Sequence, residues 1–191
     1  MIKGAYLLIV ASVILLVYAL PIGAEDGWYI SLYTGQSNSK KYIDYFKLSA
    51  APEASYIYVL AGGKTIYRLN RFLTIDAEGL LGQHSGKQTN QEIGLALILR
   101  SRFPLSDNLT VGITAGDGLS YASTTPKIET DNSETTSRFL NLLLTEATVG
   151  FKKERIDVFF RIHHRSGIFG LVNGIEKGGS NFHTIGVRYY F

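Results

Sequence analysis

Cysteine is absent from the 191 residues, and proline (4), methionine (1) and tryptophan (1) are scarce. Without cysteine there is neither a disulfide framework nor lipid attachment through an N-terminal Cys. After the first two dozen residues, no segment approaches the ~18 consecutive apolar residues of a membrane-crossing helix, which excludes a helical membrane protein. Charge of one sign is missing too. The 19 Lys and Arg stand against 16 Asp and Glu, the formal net charge is +3, and the basic residues are scattered. Nucleic-acid binding therefore has no basic patch or stripe to rest on.

What the chain does have is aromatics (12 Tyr, 10 Phe) and 20 glycines, a mixture that suits strands rather than helices. Lys3 followed by a 16-residue apolar run over 5–20, then Ile22, Gly23 and Ala24 ahead of Glu25, reads as a secretory signal peptide. The run is short for a spanning helix, which needs about 20 residues. Residues 1–24 are thus expected to be a leader and 25–191 a single domain.

Eight strand-like segments follow, roughly 27–35, 55–67, 72–84, 91–103, 109–120, 138–151, 155–166 and 181–191. Most reach the 9–11 residues that a tilted strand needs to cross a bilayer. Several alternate cleanly. Ile93, Leu95, Leu97 and Leu99 oppose Glu92, Gly94, Ala96, Arg100 and Arg102; Leu73, Ile75, Ala77 and Leu81 oppose Thr74, Asp76, Glu78 and Gly82. The segment 56–67 yields no assignable faces. A soluble β-sandwich also alternates, so the sign of the pattern decides. The second face mixes Asp76, Glu78, Glu92 and Glu146 with Arg100, Arg102, Arg161 and Arg188 and with glycines. Such groups interlock inside a small closed barrel, where glycines make room for them, while the apolar face meets lipid.

Loop lengths agree. Links at 69–71, 104–108 and 152–153 are short, and those at 36–54, 85–90, 121–137 and 167–180 are mostly long and polar. That order predicts an eight-stranded antiparallel transmembrane β-barrel with short periplasmic turns and longer extracellular loops. The end of the chain, Val187 to Phe191, resembles the C-terminal signal read by the assembly machinery of Gram-negative outer-membrane barrels. Localisation to that membrane follows as an expectation, with the assembly machinery a partner through Phe191.

The segment 156–166, IDVFFRIHHRS, carries the chemistry. Ile156, Val158, Phe160, Ile162, His164 and Ser166 share one face, and Asp157, Phe159, Arg161, His163 and Arg165 the other. An imidazole and a hydroxyl two residues apart thus sit on the apolar, lipid-facing side near the extracellular end. Serine needs an adjacent base, and the base needs a group that fixes its tautomer. Glu176 is the one carboxylate between Ser166 and the C-terminus. The candidate set is Ser166 as nucleophile, His164 as base and Glu176 as orienter, with backbone N–H groups of 167–170 as an oxyanion hole. His163 is expected in the lumen, and a zinc site formed by His163 and His164 is disfavoured because they point to opposite sides. His183 and Asn141 have outward parity near the site. Trp28 and the tyrosines suit interfacial girdles.

At these residues the chain resembles the PagL-type lipid A 3-O-deacylases of Gram-negative outer membranes, through HHRSGIFGLVNGIEKGGSNFHTIGVRYYF, residues 163–191. Gly118 to Tyr121 and the strand Glu92 to Arg102 look like their broader acyloxyacyl hydrolase relatives. The resemblance implies an eight-stranded barrel with a Ser-His-Glu triad near the extracellular surface and lipid A or lipopolysaccharide as substrate. Two features depart from it. Gly167 stands where the family motif has asparagine, and Glu176 lies closer to the serine than the family's glutamate.

The expected function is a serine esterase that removes an ester-linked acyl chain from lipid A, with no cofactor and with Lys40, Lys41 and Lys177 meeting its phosphates. A non-catalytic structural or adhesive barrel and a lipid A acyltransferase are the alternatives, and a homodimer is left open. N-terminal sequencing of the chain recovered from outer membranes is expected to begin at Glu25; a sequence beginning upstream would mean that the apolar run is retained.

Overall fold

A computed structural model describes residues 27–38, 52–132, 135–168, 170–175 and 178–191. The signal-peptide expectation and the residues Lys40, Lys41, Glu176 and Lys177 fall outside the described residues. Eight long strands follow one another: β1 (Trp28–Asn38), β2 (Pro52–Asn70), β3 (Leu73–Gly86), β4 (Gln91–Ser101), β5 (Leu109–Ala122), β6 (Phe139–Phe151), β7 (Ile156–Ser166) and β8 (Gly179–Tyr190). A two-residue segment, Phe103–Pro104, adds a short pairing beside β5. Each expected segment corresponds to one strand. The loop between β5 and β6 also holds a short helix, α1 (Lys127–Asn132), which the sequence reading did not anticipate.

Every strand pairs antiparallel with its neighbours, and β8 returns to β1 from Tyr190↔Tyr29 to Phe182↔Ser37. The sheet is therefore a closed barrel with no free edge, which is how a β-structure satisfies its backbone polar groups in lipid. The two-residue period then sorts each strand into an inner and an outer face. In β4 the outer Ile93, Leu95 and Leu99 are exposed while Glu92, Ala96, Ile98 and Arg100 are buried. Exposed aromatics gather at both rims. Trp28, Tyr189 and Phe191 lie at the short-turn end, and Tyr56, Tyr58, Tyr121 and Phe139 toward the long-loop end.

The interior has two kinds of filling. Toward the short turns lies an ion-pair lattice centred on Glu146, whose carboxylate meets Arg100 at 2.9 Å, Arg161 at 2.7 Å and Arg188 at 2.8 Å. Glu78 receives Arg161 at 2.6 Å, and Asp76 receives Arg100 at 2.8 Å. Asp157 accepts from Arg102 Nη2 and from the Tyr190 hydroxyl at 2.8 Å. Glycines make the space: a Cβ at Gly63 would overlap the Tyr29 ring, and one at Gly150 would overlap Asp157. Arg102, expected on the inner face, lies one residue past the end of β4, and its guanidinium stays part-exposed.

Nearer the long loops an apolar layer built from Ile57, Val59, Leu80, Ile98, Leu142, Leu144 and Phe182 fills the barrel, joined by Ile128 of α1. This layer was not expected from the sequence. It explains the unreadable β2, whose inner Ile57 and Val59 and outer Tyr58 and Leu60 are all apolar. His163 faces inward as expected. Its Nε2–H donates to Glu92 at 3.0 Å and its Nδ1 meets the Tyr33 hydroxyl at 3.2 Å. Glu92 also accepts from His84 at 2.9 Å and from Ser120 at 2.6 Å.

The lattice makes a measurable prediction. Glu146→Ala leaves three buried guanidiniums without their shared partner, a loss on the order of 3–5 kcal/mol. Guanidinium unfolding in detergent micelles, followed through Trp28 fluorescence, is expected to show a correspondingly lower midpoint. An unchanged midpoint would mean that the lattice does not hold the barrel.

Candidate active site on the lipid-facing rim

His164 and Ser166 close β7 at its long-loop end, on the outward face as their parity predicts. Both are half-buried, whereas the intervening Arg165 is fully buried. Residues i and i+2 of a strand lie about 6.7 Å apart, so the two side chains can reach each other. Among the described residues they are not hydrogen-bonded to one another.

Register supplies the neighbours. His164 lies across from Leu143 of β6 and Asn181 of β8, and Ser166 across from Asn141 of β6 and Gly179 of β8. His164 Nδ1–H donates to Asn181 Oδ1 at 2.5 Å. Asn181 is buried, so the bond is shielded from water and fixes the ring. Asn181, which the sequence reading did not include, thus orients the His164 ring. Counting by two from Ile185 places Asn181 outward as well as His183. Only the cross-strand register singles it out.

Asn141 is buried although its parity is outward. Its side-chain NH2 donates to Asp117 Oδ1 at 2.8 Å and to the Gly118 carbonyl at 2.8 Å. Asp117 is exposed and has the outward parity of Val111 and Ile113. Asp117, Asn141, His164, Ser166 and Asn181 therefore form one polar patch on an otherwise apolar outer surface. Gly179, with φ of 135°, leaves the side of Ser166 toward β8 without a side chain. His183 packs its ring 5.8 Å from Phe160, an interfacial contact below the patch.

The segment after Ser166 turns sharply. Ile168 (φ 47°) and Asn173 (φ 53°) hold left-handed backbone conformations, as do Gly170 and Gly174. For a β-branched residue such as Ile168 this is a strained state, costing on the order of 1–3 kcal/mol. Hydrogen bonds hold the turn: Val172 N–H donates to Gly167 O at 2.9 Å, and Gly170 N–H to Ile175 O at 2.9 Å. The Gly170 N–H is thereby spent, which removes it from the expected oxyanion donors. Asn173 ties the turn to β6 by donating to the Phe139 carbonyl at 2.8 Å. The buried Ile175 presses its carbonyl against Gly167, where any Cβ would collide with it. That contact is the physical reason for glycine where the resembled motif carries asparagine.

Beneath the patch, Arg165 Nη1–H donates to Glu129 of α1 at 2.9 Å, and Ser180 donates to the same oxygen at 2.8 Å. Burial pushes the Glu129 carboxyl above its usual value, against the pull of Arg165. The helix is thereby locked to the strand that bears His164 and Ser166.

No protein-family model and no curated protein sequence matches the chain. Among solved structures the chain is similar to the outer-membrane enzyme PagL, with a TM-score of 0.61 and 15% identity over 84% of this chain and 98% of that one. It is also similar to Neisserial surface protein A (NspA), with a TM-score of 0.54 and 14% identity over 86% of this chain and 97% of that one. At such identities the shared property is the fold. The chain is an eight-stranded barrel of the outer-membrane type, consistent with the Gram-negative outer membrane.

The Asn181 bond is open to a direct check. Nitrogen-15 spectra of the barrel in micelles are expected to show His164 with a protonated Nδ1 and an unprotonated Nε2. In Asn181→Leu the two tautomers should mix. A wild-type ring protonated at Nε2 instead would contradict the assigned geometry.

Proposed function

We propose that the chain is an outer-membrane serine esterase that hydrolyses an ester-linked acyl chain of lipid A. The observation that carries this reading is the outward His164–Ser166 pair, with the imidazole anchored through Nδ1 by a buried amide. A base oriented in this way beside a hydroxyl is what nucleophilic ester cleavage requires. On a lipid-facing surface, the ester within its reach is a lipid's. A polar patch facing lipid otherwise carries only a cost.

Ser166 Oγ attacks the ester carbonyl as His164 Nε2 takes its proton. The tetrahedral intermediate expels the alkoxide, which recovers that proton from His164. Water, deprotonated by the same nitrogen, then releases the acyl group from Ser166 as a free fatty acid. A donor beside the nucleophile must hold the developing oxyanion, and the backbone N–H groups of Gly167 and Ile168 are its candidates. The strained turn holds these groups in place. Asn181 supports the imidazolium as an amide rather than as an anion. Glu176, directly after the anchored Ile175, remains the acid proposed to add charge to that support. Acyl transfer is disfavoured, because ion pairs and apolar side chains fill the interior where a transferase would need room for a chain.

The test is lipid A mass spectrometry after expression of wild type and Ser166→Ala in an outer-membrane host. Loss of one acyl unit with wild type alone is the expected result. A gain of one acyl unit would indicate transfer. An unchanged profile with a folded barrel would contradict both and leave a non-catalytic barrel.

A further inference from the structure

The register carries one row around the outer surface, starting at Ser166 and stepping through Asn141, Leu119, Leu95 and Gly79 to Gly62. Gly79 and Gly62 lie side by side, and a Cβ on either would meet nothing closer than 4.0 Å. At that place the sheet shows bare backbone to the outside, walled by the exposed side chains of Leu60, Leu81, Ile93 and Leu95. The result is an apolar furrow of about 680 Å³. Its upper end is at Leu119 and Phe139, where Leu119 adjoins Asn141 and Asn141 adjoins Ser166.

The furrow's slope matches its surroundings. Strands of such barrels tilt by about 45°, so a row perpendicular to them tilts as steeply. Ser166 ends β7 at the rim, while Gly79 and Gly62 lie far along β3 and β2 from their long-loop ends. Four inter-strand steps of about 4.8 Å separate Ser166 from Gly79, which gives about 19 Å along the row and about 13 Å in depth. One leaflet of a hydrocarbon core is about 15 Å deep. A lipid-facing groove whose upper end lies two strands from the rim nucleophile, and whose glycine floor lies most of one leaflet below it, suits a single hydrocarbon chain as its occupant.

We propose that this furrow is the acyl-chain site of the esterase. It takes the chain whose ester carbonyl is presented to Ser166, and its open floor at Gly79 and Gly62 sets the length preferred. This rests on the esterase reading above. Bare backbone lets the chain lie against the sheet, where each methylene gains dispersion contacts that a leucine at either position would displace.

Gly79→Leu and Gly62→Leu test the site without disturbing the barrel, because both positions have room for a side chain directed into the furrow. Ala115→Leu adds the same bulk at another lipid-facing position outside it. Purified proteins in detergent micelles are assayed on 4-nitrophenyl butyrate and 4-nitrophenyl myristate. Both glycine variants are expected to lower kcat/KM for myristate relative to butyrate by about tenfold, the equivalent of roughly two displaced methylenes, while Ala115→Leu keeps the wild-type ratio. An unchanged ratio in both glycine variants would overturn the furrow and leave the esterase standing. Hydrolysis of neither ester by folded wild type would overturn the esterase and the furrow's role with it.

Discussion

Closure of the hydrogen-bonded ladder between β1 and β8 is the constraint on which the rest of the structure depends. Once the sheet has no edge, its backbone is satisfied throughout and the chain can face hydrocarbon. Closure also makes parity absolute, since a one-residue slip in any strand would turn its charges into lipid. Arg100, Arg161 and Arg188 must then lie inside, and they are tolerable there because Glu146 and its neighbouring carboxylates meet them all. The same parity sends His164 and Ser166 outward.

An interior occupied by an ion-pair lattice and an apolar layer favours the outer surface as the place for chemistry. The ion-pair lattice and the apolar layer above it hold β6, β7 and β8 in fixed register, and that register brings Asn181 to His164 and Asn141 to Ser166. Arg165 connects the two sides of the wall. Its neighbours face lipid, while its own guanidinium reaches Glu129 inside and fastens α1 over the mouth of the barrel. The strained turn at Ile168 is kept by hydrogen bonds within 167–175 and by the tie of Asn173 to β6. Strain held this firmly directly after a candidate nucleophile suits preorganisation of backbone donors.

Most of the fold was legible in the sequence because alternation and loop length are local signals. β4, with Leu and Ile opposite Glu, Gly and Arg, could be read residue by residue. β2 could not, since its inner residues belong to the apolar layer and look like its outer ones. The helix α1 carried no periodic signal over its six residues. At the site, His164, Ser166 and the inward His163 followed from counting by two. Asn181 and Asp117 have the same parity, but their proximity to the pair depends on how far each strand is staggered against the next, and composition does not encode that stagger. Gly167 looked like a missing side chain; the structure shows it as the fit required by the Ile175 carbonyl.

The central claim is that a serine on the lipid-facing surface is activated by its neighbouring histidine. A long-chain alkyl fluorophosphonate, which reacts with serines made nucleophilic by a base, tests this most directly. After treatment of the folded barrel in micelles, peptide mass spectrometry should find the phosphonyl adduct on Ser166. The adduct should be absent from His164→Ala. A folded wild-type barrel that carries no adduct, or one labelled equally with and without His164, would contradict the account.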